Sequence, residues 1–195
     1  MELKEAIYKR RAVRAYDPKP VPRETVEQLL RVAVQAPSAM NQQPWAFVVV
    51  EGAELLRQFS DRAKASLLEV MDGRSPLHEY RDMLQDPGFN IFYGAGTLIV
   101  ICAKPVGLNA AEDCCLAAQN LMLTACDLGL GSCPIGFARP WLNRPEVKEE
   151  LGIPSDYTPV FPVIAGYPKG EWPPVARHSP HVLAWITSAT HTLSA

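Results

Sequence analysis

The chain has 195 residues, 48% hydrophobic and 21% charged, with a formal net charge of −2. That length suits a single domain spanning residues 1–195, and the composition excludes a disordered, collagenous or coiled-coil chain. The near-neutral balance offers no overall attraction to nucleic acid or to an anionic membrane, so neither is expected as a partner.

Leu3, Ala6 and Ile7 mark one face of a short opening helix that leads into the basic segment Arg10, Arg11, Ala12, Val13 and Arg14. Pro18, Pro20 and Pro22 resist helix after it. Val26, Leu29, Leu30, Ala33 and Val34 then recur at the spacing of an amphipathic helix. That helix is expected to stop at Ala36-Pro37, because the residue before proline is pushed out of the helical region. A polar loop with Ser38, Asn41, Gln42 and Gln43 follows, and then a buried strand over 45–50. Residues 55–71 carry a helical pattern, whereas 72–90 are polar and irregular enough to form a mobile excursion and are a lid candidate. A second buried strand is predicted over 97–102. Asn109 is suited to cap a long helix over 111–128, which is apolar nearly all round and is therefore read as a central core helix. Gly129 and Gly131 are suited to end it. Cys133-Pro134-Ile135-Gly136 is a short apolar segment interrupted by proline, followed by a helix over 145–151 stopped by Gly152 and a third buried strand over 160–165. Residues 166–180 are proline-rich, and 181–187 resume an apolar segment able to reach a neighbouring chain. Helices and strands interleave without strict βαβ alternation, which points to an α+β layered domain.

Five cysteines cannot all pair within one chain, and adjacent Cys114 and Cys115 lack the CxxC spacing of zinc, iron-sulfur or redox motifs. A reducing compartment fits, and with no apolar run behind the basic N-terminus the expected location is cytoplasmic. The longest apolar stretches are strand-sized, well short of the roughly 20 residues that cross a bilayer. No P-loop, HExxH or GxSxG pattern is present. Gly94-Ala95-Gly96 precedes a strand instead of following one, the wrong context for a dinucleotide loop. His178 and His181 have no accompanying ligand cluster, so no metal is assigned.

Three features remain. Arg10, Arg11 and Arg14 could hold a phosphate, since guanidinium binds it bidentately, or could be a solvated face at a helix end. The loop from Ala36 to Trp45 sets small and amide residues between two prolines, either a surface for a planar heterocycle or a plain helix-to-strand turn. Gly129 to Gly136 would allow a close backbone approach to a ligand.

Taken in this order, these segments resemble the nitroreductase family of FMN-dependent oxidoreductases. The resemblance rests on Arg10-Arg11-Ala12-Val13-Arg14, Ala36-Pro37-Ser38 with Asn41 and Gln43-Pro44-Trp45, the helix end at 121–131, Pro134-Ile135-Gly136, and Ile164-Ala165-Gly166-Tyr167-Pro168. It implies an α+β fold with a mixed sheet flanked by helices, and an intertwined homodimer with two FMN molecules at its interface. Carried over by motif, Arg10 and Arg177 would hold the phosphate, with Arg11 and Ala12 lining the same segment. Arg14 would lie near the N1 and O2 edge of the flavin. Pro37, Ser38, Ala39 and Asn41 would reach the cofactor from the other subunit. Pro134, Ile135 and Gly136 would cover one flavin face, and Asn90 would meet the pyrimidine edge.

The sequence departs from the family pattern at Ala12, where serine is frequent, and at Val175, where some relatives place a second phosphate-binding lysine that Lys169 could replace. The implied activity is hydride transfer from NADH or NADPH, through the flavin, to a small electrophile such as a nitroaromatic or a quinone, with no catalytic side chain of its own. The alternatives are a flavin-consuming or reductively dehalogenating enzyme of the same fold, and a flavin-binding dimer without turnover.

Overall fold

A computed structural model describes residues 1–71 and 78–187. Among these residues four strands form one sheet in the order β1-β2-β4-β3: β1 (Trp45–Glu51), β2 (Thr97–Ala103), β3 (Gly131–Pro134) and β4 (Thr158–Gly166). All seven residues of β2 are buried, which is why it reads as a continuous apolar run instead of an alternating one. β1 and β4 flank it antiparallel, with Trp45 opposite Ala103 and Ala165 opposite Thr97. β3 is short and pairs antiparallel with residues 163–166 only. Pro159 and Pro162 thus lie on a stretch of β4 with a ladder partner on one side, where a missing N–H is tolerated. The expected mixed sheet is antiparallel in its four strands, and parallel pairing among the described residues is confined to a bridge from Ala12 to Ser132.

Among the described residues, seven α-helices surround the sheet: α1 (Leu3–Lys9), α2 (Arg23–Ala33), α3 (Ala53–Val70), α4 (Arg81–Gln85), α5 (Ala110–Asp127), α6 (Arg139–Leu142) and α7 (Pro145–Glu150). Successive residues of β2 point to opposite faces, so Ile99 and Ile101 pack with Leu29 of α2 and Leu121 of α5. Leu98 and Val100 pack on the other side with Phe59 of α3, Trp141 of α6 and Val147 of α7. The result is an α/β/α sandwich of two cores divided by one sheet, and no helix among the described residues is long and apolar enough to cross a membrane.

Two expectations for α5 need correction. Asn109 occupies the N-cap but makes no side-chain cap bond; its carbonyl accepts from the Asp113 N–H. The helix is also not buried all round, since Cys115 and Leu116 are exposed on an outward face. Its other end forms as expected, with Gly129 at φ +74°, Gly129 N–H donating to Cys126 O and Leu130 N–H to Ala125 O.

Residues 72–77 of the expected excursion lie outside the described residues. The rest is tied down, because buried Lys64 of α3 donates to Asp86 O (3.0 Å) and Phe89 O (2.6 Å). Beyond Trp172 the described chain runs exposed to residue 187 without regular structure.

Candidate functional site

The segment from Arg10 to Tyr16 lies along the edge formed by β3. Val13 N–H donates to Ser132 O (3.0 Å), and the buried Tyr16 hydroxyl donates back to Val13 O (2.8 Å). Lys169 N–H donates to Ala15 O (3.0 Å), which stitches the same segment to the chain leaving β4. Such contact demands glycine opposite. A Cβ on Gly131 would sit 2.7 Å from Val13, and one on Gly166 would sit 2.8 Å from the Tyr16 ring. The space at Gly131, read from the sequence as room for a ligand, is thus occupied by Val13.

This segment separates two pockets. On one side is a cleft of about 380 Å³ lined by Arg14, Tyr93, Cys133, Pro134, Ile135 and Gly136, floored by Leu67 and Ile91. Arg14 is exposed, its guanidinium 5.9 Å from the centre of the Tyr93 ring. Tyr93 holds a left-handed backbone (φ +54°) followed by Gly94 (φ +75°), a turn that a bulky residue adopts only under tertiary constraint. The constraint includes Tyr93 N–H donating to Asn90 O (2.9 Å) and the edge-on packing of Phe89. Asn90 is nearby, but its side-chain oxygen accepts from Phe92 N–H (2.8 Å) and so serves the turn itself. Burial pushes the Cys133 thiol up, against the opposing pull of Arg14 and Arg10. The cleft is therefore apolar, with one guanidinium at its rim and a neutral thiol in its wall. Gly136 has open space where a Cβ would stand, so a planar ring can lie against the main chain there, while Ile135 N–H is engaged with Pro162 O (2.9 Å).

On the other side a pocket of about 200 Å³ is lined by Lys9, Arg10, Arg11, Gly129, Ser132 and Trp172. Arg11 is committed to the backbone, Nη1 donating to Tyr8 O (2.6 Å) and Arg10 O (2.8 Å) and Nε to Pro173 O (3.1 Å). It closes the C-terminal end of α1 and anchors the departing tail. Arg10 Nε, by contrast, is buried without a hydrogen-bond partner among the described residues. A broader surface depression of about 650 Å³ brings Arg177 and Val175 beside Arg10 and Arg11.

The loop over 37–43 lies elsewhere. Ala39 N–H donates to both carboxylate oxygens of buried Asp113 (3.2 Å each), and Gln43 N–H donates to Ser38 Oγ (2.9 Å). Gln43 Nε2 donates to Asn41 Oδ1 (3.0 Å). Met40, Asn41 and Gln43 all have positive φ, and Met40 at the tip is 91% exposed. The loop enters the sheet at β1, one edge, whereas the arginines line β3, the other. Asp113 and Cys126 mark the two places along α5; at 1.5 Å per residue they are about 20 Å apart. Pro37, Ser38, Ala39 and Asn41 are therefore not brought to the arginine cleft of their own chain.

Comparison with known proteins decides the family. The family model described as "Nitroreductase family" matches residues 7–167. The chain belongs to the nitroreductase family. Within it, the chain is 33% identical over 171 residues to a candidate NADH dehydrogenase/NAD(P)H nitroreductase of Archaeoglobus fulgidus, covering 85% of this chain and 84% of that one. It is 30% identical over 175 residues to the iodotyrosine deiodinase of Thermotoga neapolitana, covering 87% and 90%. Among solved structures it superposes on a nitroreductase with bound FMN from Bacteroides fragilis with a TM-score of 0.80 at 27% identity, covering 96% of this chain and all of that one.

Within this nitroreductase-family chain the residues suit a flavin mononucleotide in three respects: an apolar slot edged by Arg14, a main chain left bare at Gly136, and an unpartnered donor on Arg10. No group of three or more His, Cys, Asp or Glu suited to a metal is present among the described residues, and His178 and His181 stand exposed on the tail. Sequence reasoning missed Tyr93, Asp113 and Trp172. The first two had weak signals, a Tyr-Gly turn and an acidic residue in the first turn of a helix; Trp172 had none, because only folding brings it back to Arg10.

Proposed function

We propose that this protein is an FMN-dependent oxidoreductase that takes hydride from NADH or NADPH and passes electrons to a small electrophile, a nitroaromatic or a quinone, as a homodimer. The observation that carries the reading is the placement of Arg10 and Arg14 on one extended segment, four residues and so about 13 Å apart, facing different pockets. That arrangement suits a ligand with an anionic end and a planar end. Arg10 and Arg177 hold the phosphate, with Ala12 and the backbone-committed Arg11 shaping the segment between. Arg14 holds positive charge at the pyrimidine edge, where negative charge develops on reduction, and in a partly desolvated cleft this favours the reduced state. Pro134, Ile135 and Gly136 form the wall against one flavin face, and Asn90 offers its amide nitrogen at the pyrimidine edge.

Bound flavin supplies the hydride-accepting and hydride-donating chemistry. The side chains bind, orient and exclude water: Leu67, Ile91 and Phe137 keep the cleft apolar, and no side chain is required as acid or base. Pro37, Ser38, Ala39 and Asn41 complete the site from the second subunit, which accounts for a strained loop presented at a corner remote from its own chain's cleft. The outward face of α5 with Leu116, and the exposed tail residues Val182, Leu183, Trp185 and Ile186, are the apolar surfaces such a dimer buries.

The test is to release the chromophore by denaturation, identify it, and mix the holoprotein rapidly with NADH and with NADPH. FMN, bleached by at least one of them and restored by a nitroaromatic or quinone, is expected. A folded protein that cannot be reconstituted with FMN would overturn the reading. A second reading, reductive dehalogenation, draws on the likeness to the Thermotoga neapolitana deiodinase. Stoichiometric halide release from a halophenol by the reduced protein, faster than nitroaromatic turnover, would favour it.

A further inference from the structure

Trp172 carries the second of two buried side-chain donors that find no acceptor among the described residues; the other is Arg10 Nε. The two residues come from opposite ends of the chain and line the same pocket of about 200 Å³. A buried donor without an acceptor is destabilising, so two of them at one pocket call for an acceptor with several lone pairs. The charge there selects an anion. Arg10 and Arg11 face the pocket with no acid paired to them among the described residues, while Lys9 there is matched by Glu5 (2.6 Å) and Asp127 by the N-terminal ammonium of Met1 (2.6 Å), so the uncompensated charge is positive. A lysine beside the phosphate-holding arginines is not supplied by position 175, which is valine; Arg177 lines the adjoining depression and not this pocket, and Lys169 stands exposed without lining it.

We propose that the indole N–H of Trp172 donates to the same phosphoryl group that Arg10 and Arg177 hold, so that a neutral donor serves where a further cation would otherwise stand. The assignment rests on the flavin reading above and adds to it a residue that distinguishes a phosphorylated flavin from an unphosphorylated one. Indole is a donor only, so it is matched best by an ionised phosphate, whose oxygens accept with charge assistance, and more weakly by a neutral hydroxyl oxygen.

The experiment compares FMN with riboflavin. Dissociation constants of both are measured by flavin fluorescence on apoprotein, wild type and Trp172→Phe, with far-UV circular dichroism confirming the fold. Trp172→Phe is expected to weaken FMN by roughly 10- to 100-fold, the effect of one hydrogen bond to a charged group, while riboflavin binding changes less than about twofold. Equal losses for both flavins, or no loss for FMN, overturn the assignment. A wild-type protein that binds no FMN overturns the flavin reading itself, a distinguishable result. Should Trp172→Phe not fold, the four indole N–H resonances of the ¹⁵N-labelled wild type decide. One is expected to move with FMN and with inorganic phosphate but not with riboflavin, and the absence of any phosphate-dependent indole signal overturns the proposal.

Discussion

Arg10 and Arg14 share a segment but serve different ends of the proposed site, and alanine substitutions separate them. Arg10→Ala is expected to weaken FMN by about 1.5 to 3 kcal/mol and leave the potential of the bound flavin nearly unchanged, because it removes a charged hydrogen bond remote from the ring. Arg14→Ala is expected to lower the midpoint potential and slow hydride uptake, since negative charge at the pyrimidine edge loses its partner. Redox titration against a reference dye reads this, and an unchanged potential in Arg14→Ala would move that residue to the phosphate end. Gly131 tests the scaffold beneath both. Its added Cβ would lie 2.7 to 2.8 Å from three side-chain atoms of Val13, with β3 hydrogen-bonded behind it. Gly131→Ala should destabilise the fold by roughly 1 to 3 kcal/mol as overpacking does, visible as a lower melting temperature. A variant melting with the wild type would show that the arginine segment does not press so closely on β3.

At the scale of elements, α5 acts as a ruler whose first turn holds the strained 37–43 loop and whose last turn reaches the arginines. Ala39 N–H is held by Asp113, and three non-glycine residues beyond it sit at positive φ. Asp113→Ala should release that loop, with a loss of about 1 to 3 kcal/mol for the orphaned donor and weaker flavin binding in the dimer. Asp113→Asn, which keeps an acceptor oxygen, should recover much of both; equal damage from the two substitutions would point to charge and not to loop anchoring. Elsewhere α3 is tied to α7 by Arg62, whose two terminal nitrogens meet the two oxygens of Glu150 at 2.8 and 2.5 Å. The guanidinium holds the Glu150 carboxyl below its ordinary value, so this pair stabilises the fold above the ordinary carboxylate range and fades as pH falls through the lowered folded-state value. Both partners are largely solvated, so Glu150→Gln should cost no more than about 1 kcal/mol at pH 7. Denaturation curves of the two proteins should converge in acid; a difference that grows there would reverse the assigned sign.

For the whole molecule the decisive question is whether two chains build one site. Leu116 is 46% exposed on the outward face of α5. Leu116→Lys places a charge on the surface proposed to be buried between subunits. Light scattering should then show monomer, and FMN should be lost with the dimer although every arginine is intact. A flavin-saturated monomer would refute the shared site.

Much of this was legible in the chain itself. The three long strands, the amphipathic α2 and the glycine end of α5 follow from local rules, hydrophobic period and the left-handed tolerance of glycine, and each formed within a few residues of its expected place. β3 was not legible, because Gly131, Ser132 and Pro134 have no strand preference and extend only since β4 and Val13 offer hydrogen bonds on both sides. The same holds for the site. Arg10, Arg14 and Gly136 stand out by residue type and motif, whereas the division of the arginines between two pockets, the engagement of Arg11 with backbone carbonyls, and the meeting of Trp172 with Arg10 depend on contacts spanning up to 162 residues of sequence. Local preference is encoded in neighbours along the chain and can be read there; hydrogen-bond partnership across such distances is chosen only when the folded sheet brings its edges and the tail together.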